Sequence, residues 1–331
     1  MAEAKQKTIS LVLGGGGARG YAHIGVIRAL EERGLSIRSI SGCSMGALVG
    51  GIYAMGRLGD FENWARRIDR REIFSLLDFT LGGGGLVRGD RLITSLRELV
   101  GEMRIEELPI RFTAVAADLV RGRPVWIDRG PLFDAIRASI SLPLFFTPVD
   151  HGGVRLVDGG IFDPVPMAPT FRDFNDLTIA VSLSGPAAEE PRAPPSEAEG
   201  EEPASLSARL WRRLSARRND DGDAEVRWAL SFVVSQSIDA MQNLITRQRL
   251  ASSPPDVLIE IPRDACGLLE FDRAEPLISL GYELACARLA RLRGLGTGHP
   301  PTEPHSQPAT EPVGDPGGEP EDGGPAGPLP G

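Results

Sequence analysis

Cysteine and histidine are both scarce in this chain of 331 residues. The cysteines Cys43, Cys266 and Cys286 are widely spaced and form no C-x-x-C pair. This spacing argues against a disulfide framework or a zinc site, and it favours free thiols in a reducing compartment. His299 and His305 lie in a C-terminal stretch of low complexity. Few histidines are therefore left to act as a catalytic base.

Long hydrophobic runs are also lacking. The apolar run at residues 9–13 ends at a glycine, so it is too short for the core of a signal peptide, and no segment approaches a membrane span. The net charge of −9 lacks the basic excess of most nucleic-acid-binding proteins. We therefore expect a cytoplasmic protein that binds no nucleic acid, no metal and no other cofactor.

Composition and hydrophobic pattern predict the domain organisation. Residues 8–293 alternate apolar runs with helical patterns and open as strand, loop, helix, strand, turn and helix, which is typical of a doubly wound α/β sheet. Residues 1–7 form a polar tail. A low-complexity insertion lies at about 185–225, and its proline-rich residues 186–203 are predicted to be disordered. The proline-rich tail at 294–331 is predicted to be disordered as well.

The insertion contains one pattern of helical spacing, at about 206–218. Leu206, Leu210 and Leu214 share a helical face that is flanked by arginines and Trp211. Such a segment is either a solvated helix or a helix that lies on an anionic membrane surface. The second interpretation predicts transient peripheral contact with a membrane.

Two further helices are predicted from apolar spacing. One runs from Phe61 to Leu77. The other runs from Glu225 to Leu250, and the residues predicted on its buried side are Trp228, Phe232, Val233, Ile238, Met241 and Leu244.

A glycine loop follows the first predicted strand. Gly15, Gly17 and Gly20 fit the pattern G-x-G-x-x-G, which binds dinucleotides when an acidic residue ends the next strand. Here that strand ends in a serine turn without a carboxylate, so the dinucleotide interpretation is rejected. The loop instead suits an oxyanion hole, because glycines let backbone N–H groups point at a substrate oxygen. The positive charge of Arg19 stabilises either this loop or an anionic headgroup. The alternative is that Arg19 forms a structural ion pair.

Ser44 occupies the centre of Gly42-Cys43-Ser44-Met45-Gly46, between a predicted strand and a predicted helix. This strand–turn–helix context exposes a serine hydroxyl on a sharp turn, as in the nucleophile turn of many hydrolases. The sequence therefore predicts Ser44 as a nucleophile.

The base that would activate this serine is a carboxylate. His23 lies in the helix after the glycine loop, where we expect it to pack or cap, and His151 lies in a predicted turn. Asp158 ends an apolar strand and precedes Gly159-Gly160, so it is the best candidate to accept the serine proton. The rival positions are Asp118, Asp128, Asp150 and Asp163.

Three blocks of this sequence resemble the patatin-like phospholipases: residues 14–20, 42–46 and Asp158-Gly159-Gly160. The stretch from Arg137 to Pro166 resembles the same family. Residues 267–272 resemble its bacterial members related to the neuropathy-target-esterase branch. The resemblance covers about residues 8–290 apart from the insertion. One departure is Cys43, where relatives often have threonine.

The resemblance implies a three-layer α/β fold with a mainly parallel central sheet flanked by helices. It implies a serine lipid acyl hydrolase of the phospholipase A or lysophospholipase type, with Ser44 and Asp158 as a dyad that forms an acyl-enzyme without a metal. Gly15, Gly16, Gly17 and the N–H of Met45 would form the oxyanion hole. The supporting residues would be Arg19, Gly20, Gly42, Gly46, Gly159 and Gly160. A lipid acyltransferase with the same dyad and a non-catalytic regulatory member remain the alternatives.

Overall fold

The computed structural model describes residues 6–78, 87–187 and 221–291, and of residues 221–232 and 235 only the backbone. The predictions for most of the insertion, including the helix at about 206–218, and for the tail at 294–331 lie outside the described residues. So does most of the predicted N-terminal tail.

Strands and helices alternate along the described chain. The strands are β1 (Thr8–Leu13), β2 (Ser36–Cys43), β3 (Arg111–Asp118), β4 (Arg123–Ile127), β5 (Val149–His151), β6 (Val154–Asp158), β7 (Leu177–Gly185) and β8 (Val257–Pro262). The helices are α1 (Ala22–Glu32), α2 (Met45–Ala54), α3 (Leu58–Arg67), α4 (Arg70–Ser75), α5 (Asp90–Val100), α6 (Leu132–Ser139), α7 (Asp221–Ser252) and α8 (Ala274–Ala290).

The described strands form one mixed sheet with a parallel centre. β3, β2, β1, β7 and β8 are neighbours in that order and run parallel, while β4 and β6 pair antiparallel with β3, and β5 pairs antiparallel with β6. Helices pack on both faces, because buried strands without an alternating pattern need cover on each side. The predicted fold class is confirmed.

The side chains of β1 show how the three layers are separated. Leu11 and Leu13 point into the larger core with α1, α2 and α8. Val12, between them, points to the opposite face and packs with Val165, Met167 and Leu250. Successive residues of a strand point to opposite faces, so one apolar run supplies both cores.

The register around β3 brings the ends of two distant strands together. Residues 114 and 115 of β3 pair with both β2 and β4, and residues 116–118 pair with both β4 and β6. A strand has only two edges, so β2 and β6 lie on the same edge of β3, opposite β4. Cys43 is paired with Val115 and Asp158 with Ala116, and the two strands therefore meet end to end.

Two predictions about individual elements are corrected, and one strand was not predicted. The predicted helix from Phe61 to Leu77 is two helices, because Ile68 is extended and Asp69 starts α4 with a capping box to Glu72. β5 was not predicted, since a strand of three residues has almost no pattern. On α7, Val233, Met241 and Leu244 are more than half exposed instead of buried. The inward face of that helix bears Ile238, Gln242 and Thr246.

Within the described ranges, no helix combines the length and the apolar character that a membrane crossing requires.

Candidate active site

Ser44 lies on a strained turn between β2 and α2. Its backbone angles are φ 52° and ψ −122°, and a positive φ is uncommon for a residue other than glycine. The turn is held by Ser139 on α6: the Ser44 N–H donates to Ser139 Oγ at 2.9 Å, and that hydroxyl donates to the Val115 carbonyl at 2.6 Å. This arrangement fixes the serine at the N-terminus of α2.

Asp158 is buried beside Ser44, with 2% of its surface exposed. Its carboxylate accepts a hydrogen bond from the Gly160 N–H at 2.8 Å and a weaker one from Cys43 Sγ at 3.8 Å, and the Ser44 side chain is near enough to lower its pKa as a donor. Burial raises the pKa of Asp158 to about 6, although these three donors oppose the shift. The structure therefore brings together the two residues predicted as a dyad.

The glycine loop lies directly beside the serine, since a Cβ on Gly15 would be 3.2 Å from the Ser44 Cβ. The Gly14 N–H donates to the Val181 carbonyl and the Gly15 N–H to the Pro164 carbonyl, both at 2.9 Å. The Gly15 donor is therefore already used in this structure, and this contact argues against the expectation that it joins the oxyanion hole.

Gly16 and Gly17 retain free donors. In the part of the chain that the structure describes, neither N–H has a protein acceptor. Gly17 has φ 58°, and a Cβ there would overlap the Leu268 carbonyl oxygen. The Met45 N–H is the first of α2, and the first N–H groups of a helix lack partners within it. Three donors thus remain for a substrate oxygen.

Arg19 fixes the shape of this loop from behind. Its Nε donates to the Gly16 carbonyl at 3.1 Å, and Nη1 donates to the carbonyls of Leu183 and Arg263, both at 3.0 Å. Burial lowers the pKa of Arg19, and Asp239 on α7 partly offsets that effect. The side chain is a buried organiser of the loop.

The other predicted supports are places where chain segments approach closely. A Cβ at these glycines would overlap a neighbouring atom: Gly20 with Met45, Gly42 with Gly46, Gly46 with Leu13, Gly159 with Val115 and Gly160 with Gln242. They allow the glycine loop, the serine turn and the Asp158 turn to pack together.

The rival aspartates lie elsewhere or are already paired. The carboxylate of Asp118 accepts the N–H groups of Val120 and Arg121 and forms an ion pair with Arg121 at 3.0 Å. Asp128, which follows β4, and Asp150, on β5, are both exposed. Asp163 is buried, and burial raises its pKa to about 6, but it does not line the cavity above Ser44.

The two candidate histidines do not reach the serine. His23 is fully buried, and its Nε2 lies 2.8 Å from the Gly14 carbonyl oxygen, so it packs as expected and holds the start of the glycine loop. Burial lowers the pKa of His23 to about 4. His151 ends β5, in the hairpin that turns at Gly152 and Gly153.

A largely apolar cavity opens above Ser44. The space in this cavity and in the open solvent at its mouth is about 1720 Å³. Among the residues that the structure describes, few polar ones line the cavity, namely Ser44, Asp158, Asp239, Gln242 and Tyr21. Its apolar residues come from several distant elements, among them Leu48, Phe61, Trp64, Leu96, Phe146, Ile238 and Leu268. Sequence reasoning missed these residues, as it missed the role of Ser139.

No three histidine, cysteine or carboxylate side chains in residues 6–78, 87–187 and 221–291 are grouped to hold a metal ion. The expectation that the site uses no cofactor stays a prediction.

Comparison with known proteins adds an independent finding. Residues 11–171 match the family model described as patatin-like phospholipase. An uncharacterized NTE family protein of Mycobacterium tuberculosis is 40% identical, and the alignment covers 85% of this chain and 91% of that protein. Lysophospholipase NTE1 of Pyricularia oryzae is 30% identical over 88% of this chain, which spans only 19% of that larger protein.

Among solved structures, VipD from Legionella pneumophila is similar with a TM-score of 0.44 and 13% identity. The similarity covers 87% of this chain and 67% of that one.

Proposed function

Because this chain belongs to the NTE family and contains a patatin-like phospholipase domain, we propose that it is a serine lipid acyl hydrolase with a Ser44–Asp158 dyad. Membership of the family shows an enzyme that hydrolyses esters. The observation that supports the dyad is the buried Asp158 carboxylate, which lines the same cavity as Ser44 and whose pKa is affected by the Ser44 side chain. The proposed catalytic domain is residues 8–293.

The first step is attack by Ser44 Oγ on the carbonyl carbon of an acyl ester. As the new C–O bond forms, the serine proton passes to Asp158. A carboxylate with a pKa of about 6 is ionised at neutral pH and is more basic than an ordinary aspartate. Burial, which raises that pKa, therefore favours proton transfer.

The tetrahedral intermediate places a negative charge on the former carbonyl oxygen. The N–H groups of Gly16, Gly17 and Met45 are the proposed donors to this oxygen, and the positive end of the α2 dipole adds to them. Collapse of the intermediate breaks the ester C–O bond, and Asp158 returns its proton to the leaving alcohol.

The acyl-enzyme is then hydrolysed by the same residues. Asp158 takes a proton from a water molecule that attacks the acyl carbon, and the fatty acid leaves as Ser44 Oγ regains the proton. An alcohol in place of this water would give acyl transfer.

The apolar cavity supports a lipid acyl chain as the group bound next to Ser44. A substrate of the phospholipase A or lysophospholipase type fits this lining, and the fungal relatives are named lysophospholipases. We place this activity in the cytoplasm, at a membrane surface that supplies the lipid.

The test is labelling by a fluorophosphonate probe together with hydrolysis of a panel of lysophospholipids and phospholipids. The probe should modify Ser44 in the wild type and no residue in Ser44→Ala. Asp158→Asn should lose at least about 1000-fold in hydrolysis, whereas Asp150→Asn, a change to an exposed carboxylate, should retain wild-type activity.

Wild-type rates in Ser44→Ala, or a label on another serine, would refute the proposal. Product analysis with an added acceptor lipid separates hydrolysis from acyl transfer.

A further inference from the structure

We propose that the turn between β3 and β4, with Trp126 on β4, docks the enzyme on a phospholipid bilayer. We call this surface, formed by Leu119, Val120, Arg121, Arg123 and Trp126, the hairpin surface. The choice of a lipid partner rests on the proposed function, but the surface itself is identified by its exposure, its position and its charge.

The hairpin surface exposes three large apolar side chains. Val120 is 89% exposed, Leu119 51% and Trp126 50%. Isolated exposed apolar residues are ordinary on a soluble protein, but three large ones within residues 119–126 concentrate apolar surface on one hairpin.

The tip is also held in a defined shape. The carboxylate of Asp118 accepts the N–H groups of Val120 and Arg121, both at 3.1 Å, and Asp118 is itself fully buried. The exposed side chains are therefore carried on a fixed turn.

The hairpin projects from the carboxyl ends of the parallel strands, which is also the end of the sheet where the candidate site lies. Cys43, the residue before Ser44, is paired with Val115 of β3, and β3 continues in the same direction to Asp118. Asp118 follows Val115 by three residues of β3, which is about 10 Å at the rise of an extended strand, and Val120 lies just beyond it in the turn. A bilayer that contacts this tip would therefore face the end of the sheet at which Ser44 lies.

The charges of the hairpin suit phospholipid headgroups. Arg121 is exposed within the turn, where it also pairs with Asp118, and Arg123 is exposed at the start of β4. A guanidinium binds phosphate oxygens through paired N–H groups. Trp126 has the amphipathic ring that is enriched at membrane interfaces. Aliphatic residues at the tip with arginine and tryptophan behind them match the order of acyl chains and headgroups in a bilayer.

A matched control lies at the opposite end of the sheet. Phe174 is fully exposed and lies before β7 begins, at the amino ends of the parallel strands. If exposed apolar area alone caused membrane binding, Phe174 would contribute as much as Val120.

The experiment is co-sedimentation of the full chain with phosphatidylcholine vesicles and with vesicles that also contain phosphatidylglycerol. It uses the Ser44→Ala background, so that no lipid is consumed. Val120→Asp should weaken binding at least tenfold to both vesicles, while Phe174→Asp should leave it unchanged. Arg123→Glu should weaken binding more for the vesicles with phosphatidylglycerol.

The proposal is overturned if Val120→Asp binds vesicles like its parent, or if Phe174→Asp weakens binding equally. It is also overturned if Val120→Asp converts a dimer to a monomer without a change in vesicle binding, because the patch would then join two copies.

Hydrolysis of a short soluble ester separates this inference from the proposed function. With Ser44 restored, Val120→Asp should hydrolyse such an ester at the wild-type rate. If the wild type hydrolyses no ester and vesicle binding still depends on Val120, the proposed function fails and the docking surface stands.

Discussion

The replacement of Asp158 by asparagine should abolish hydrolysis and yet stabilise the folded protein above neutral pH. Burial raises the pKa of Asp158 from 3.8 to about 6 in the folded state. A group with a raised pKa contributes stability that is fully present below the unfolded pKa and is lost as the pH rises through the folded pKa. At pH 8 the fold therefore contains a buried carboxylate that destabilises it.

Asparagine keeps the shape of the side chain without that charge. Its amide oxygen can accept the N–H of Gly160 and its amide nitrogen can donate to Ser44 Oγ. The gain in the free energy of unfolding should thus equal the ionisation penalty. A difference of about two pKa units corresponds to ~3 kcal/mol at pH 8, ~1.5 kcal/mol at pH 5 and ~0.5 kcal/mol at pH 4.

Urea unfolding of the wild type and Asp158→Asn at pH 8, 6 and 5 measures this gain. The matched control is Asp118→Asn, two residues along β3 from the partner of Asp158. The hydrogen bond from Arg121 lowers the pKa of Asp118, so this carboxylate contributes stability that is present above its unfolded pKa and lost as the pH falls. Asp118→Asn should therefore destabilise the protein, most strongly at pH 8.

The reasoning is refuted if Asp158→Asn is no more stable than the wild type at pH 8. It is equally refuted if its gain in stability is the same at pH 8 and pH 5, because the gain would then have a cause other than ionisation of the buried carboxylate.

Three further predictions concern the catalytic step. The rate constant kcat/KM should rise tenfold per pH unit up to about pH 6 and then level off. Cys43→Ala should move the midpoint of this pH profile upward, because the Cys43 thiol donates to Asp158. An unchanged midpoint would contradict the role of the thiol. Gly17→Ala should lose at least about 100-fold in kcat, whereas Gly34→Ala, at a glycine of similar φ in open space, should affect stability alone. Ser139→Ala should lower kcat about tenfold or more with little change in KM, since the Ser44 turn loses its side-chain anchor; an unchanged kcat would show that the turn holds itself.

Local motifs were predictable because their geometry is encoded by neighbouring residues. The serine turn needs glycines two residues before and after Ser44, and the structure shows why, since both positions leave no room for a Cβ. The strand before the turn and the helix after it followed from apolar runs. The same holds for the glycine loop, although the use of the Gly15 N–H by Pro164 depends on a distant segment.

Contacts between distant segments were not predictable in this way. The cavity wall combines helices whose packing has no local signature. Met241 of α7 points outward, although the outward face of that helix is as apolar in sequence as its inward face. Ser139 was noted only within a block that resembles the family, because nothing near it indicates that its hydroxyl bridges Ser44 and Val115.

The sequence by itself determined the fold class, and it predicted the serine turn and the choice of a carboxylate over a histidine as the proposed base. Five aspartates remained candidates on position, and the tertiary structure distinguished them. β2 and β6 end on one edge of β3, with Cys43 opposite Val115 and Asp158 opposite Ala116. Hydrophobic pattern specifies which residues form strands, whereas the pairing of strands depends on the register of segments more than 100 residues apart. That register places Asp158, and none of its rivals, against Ser44.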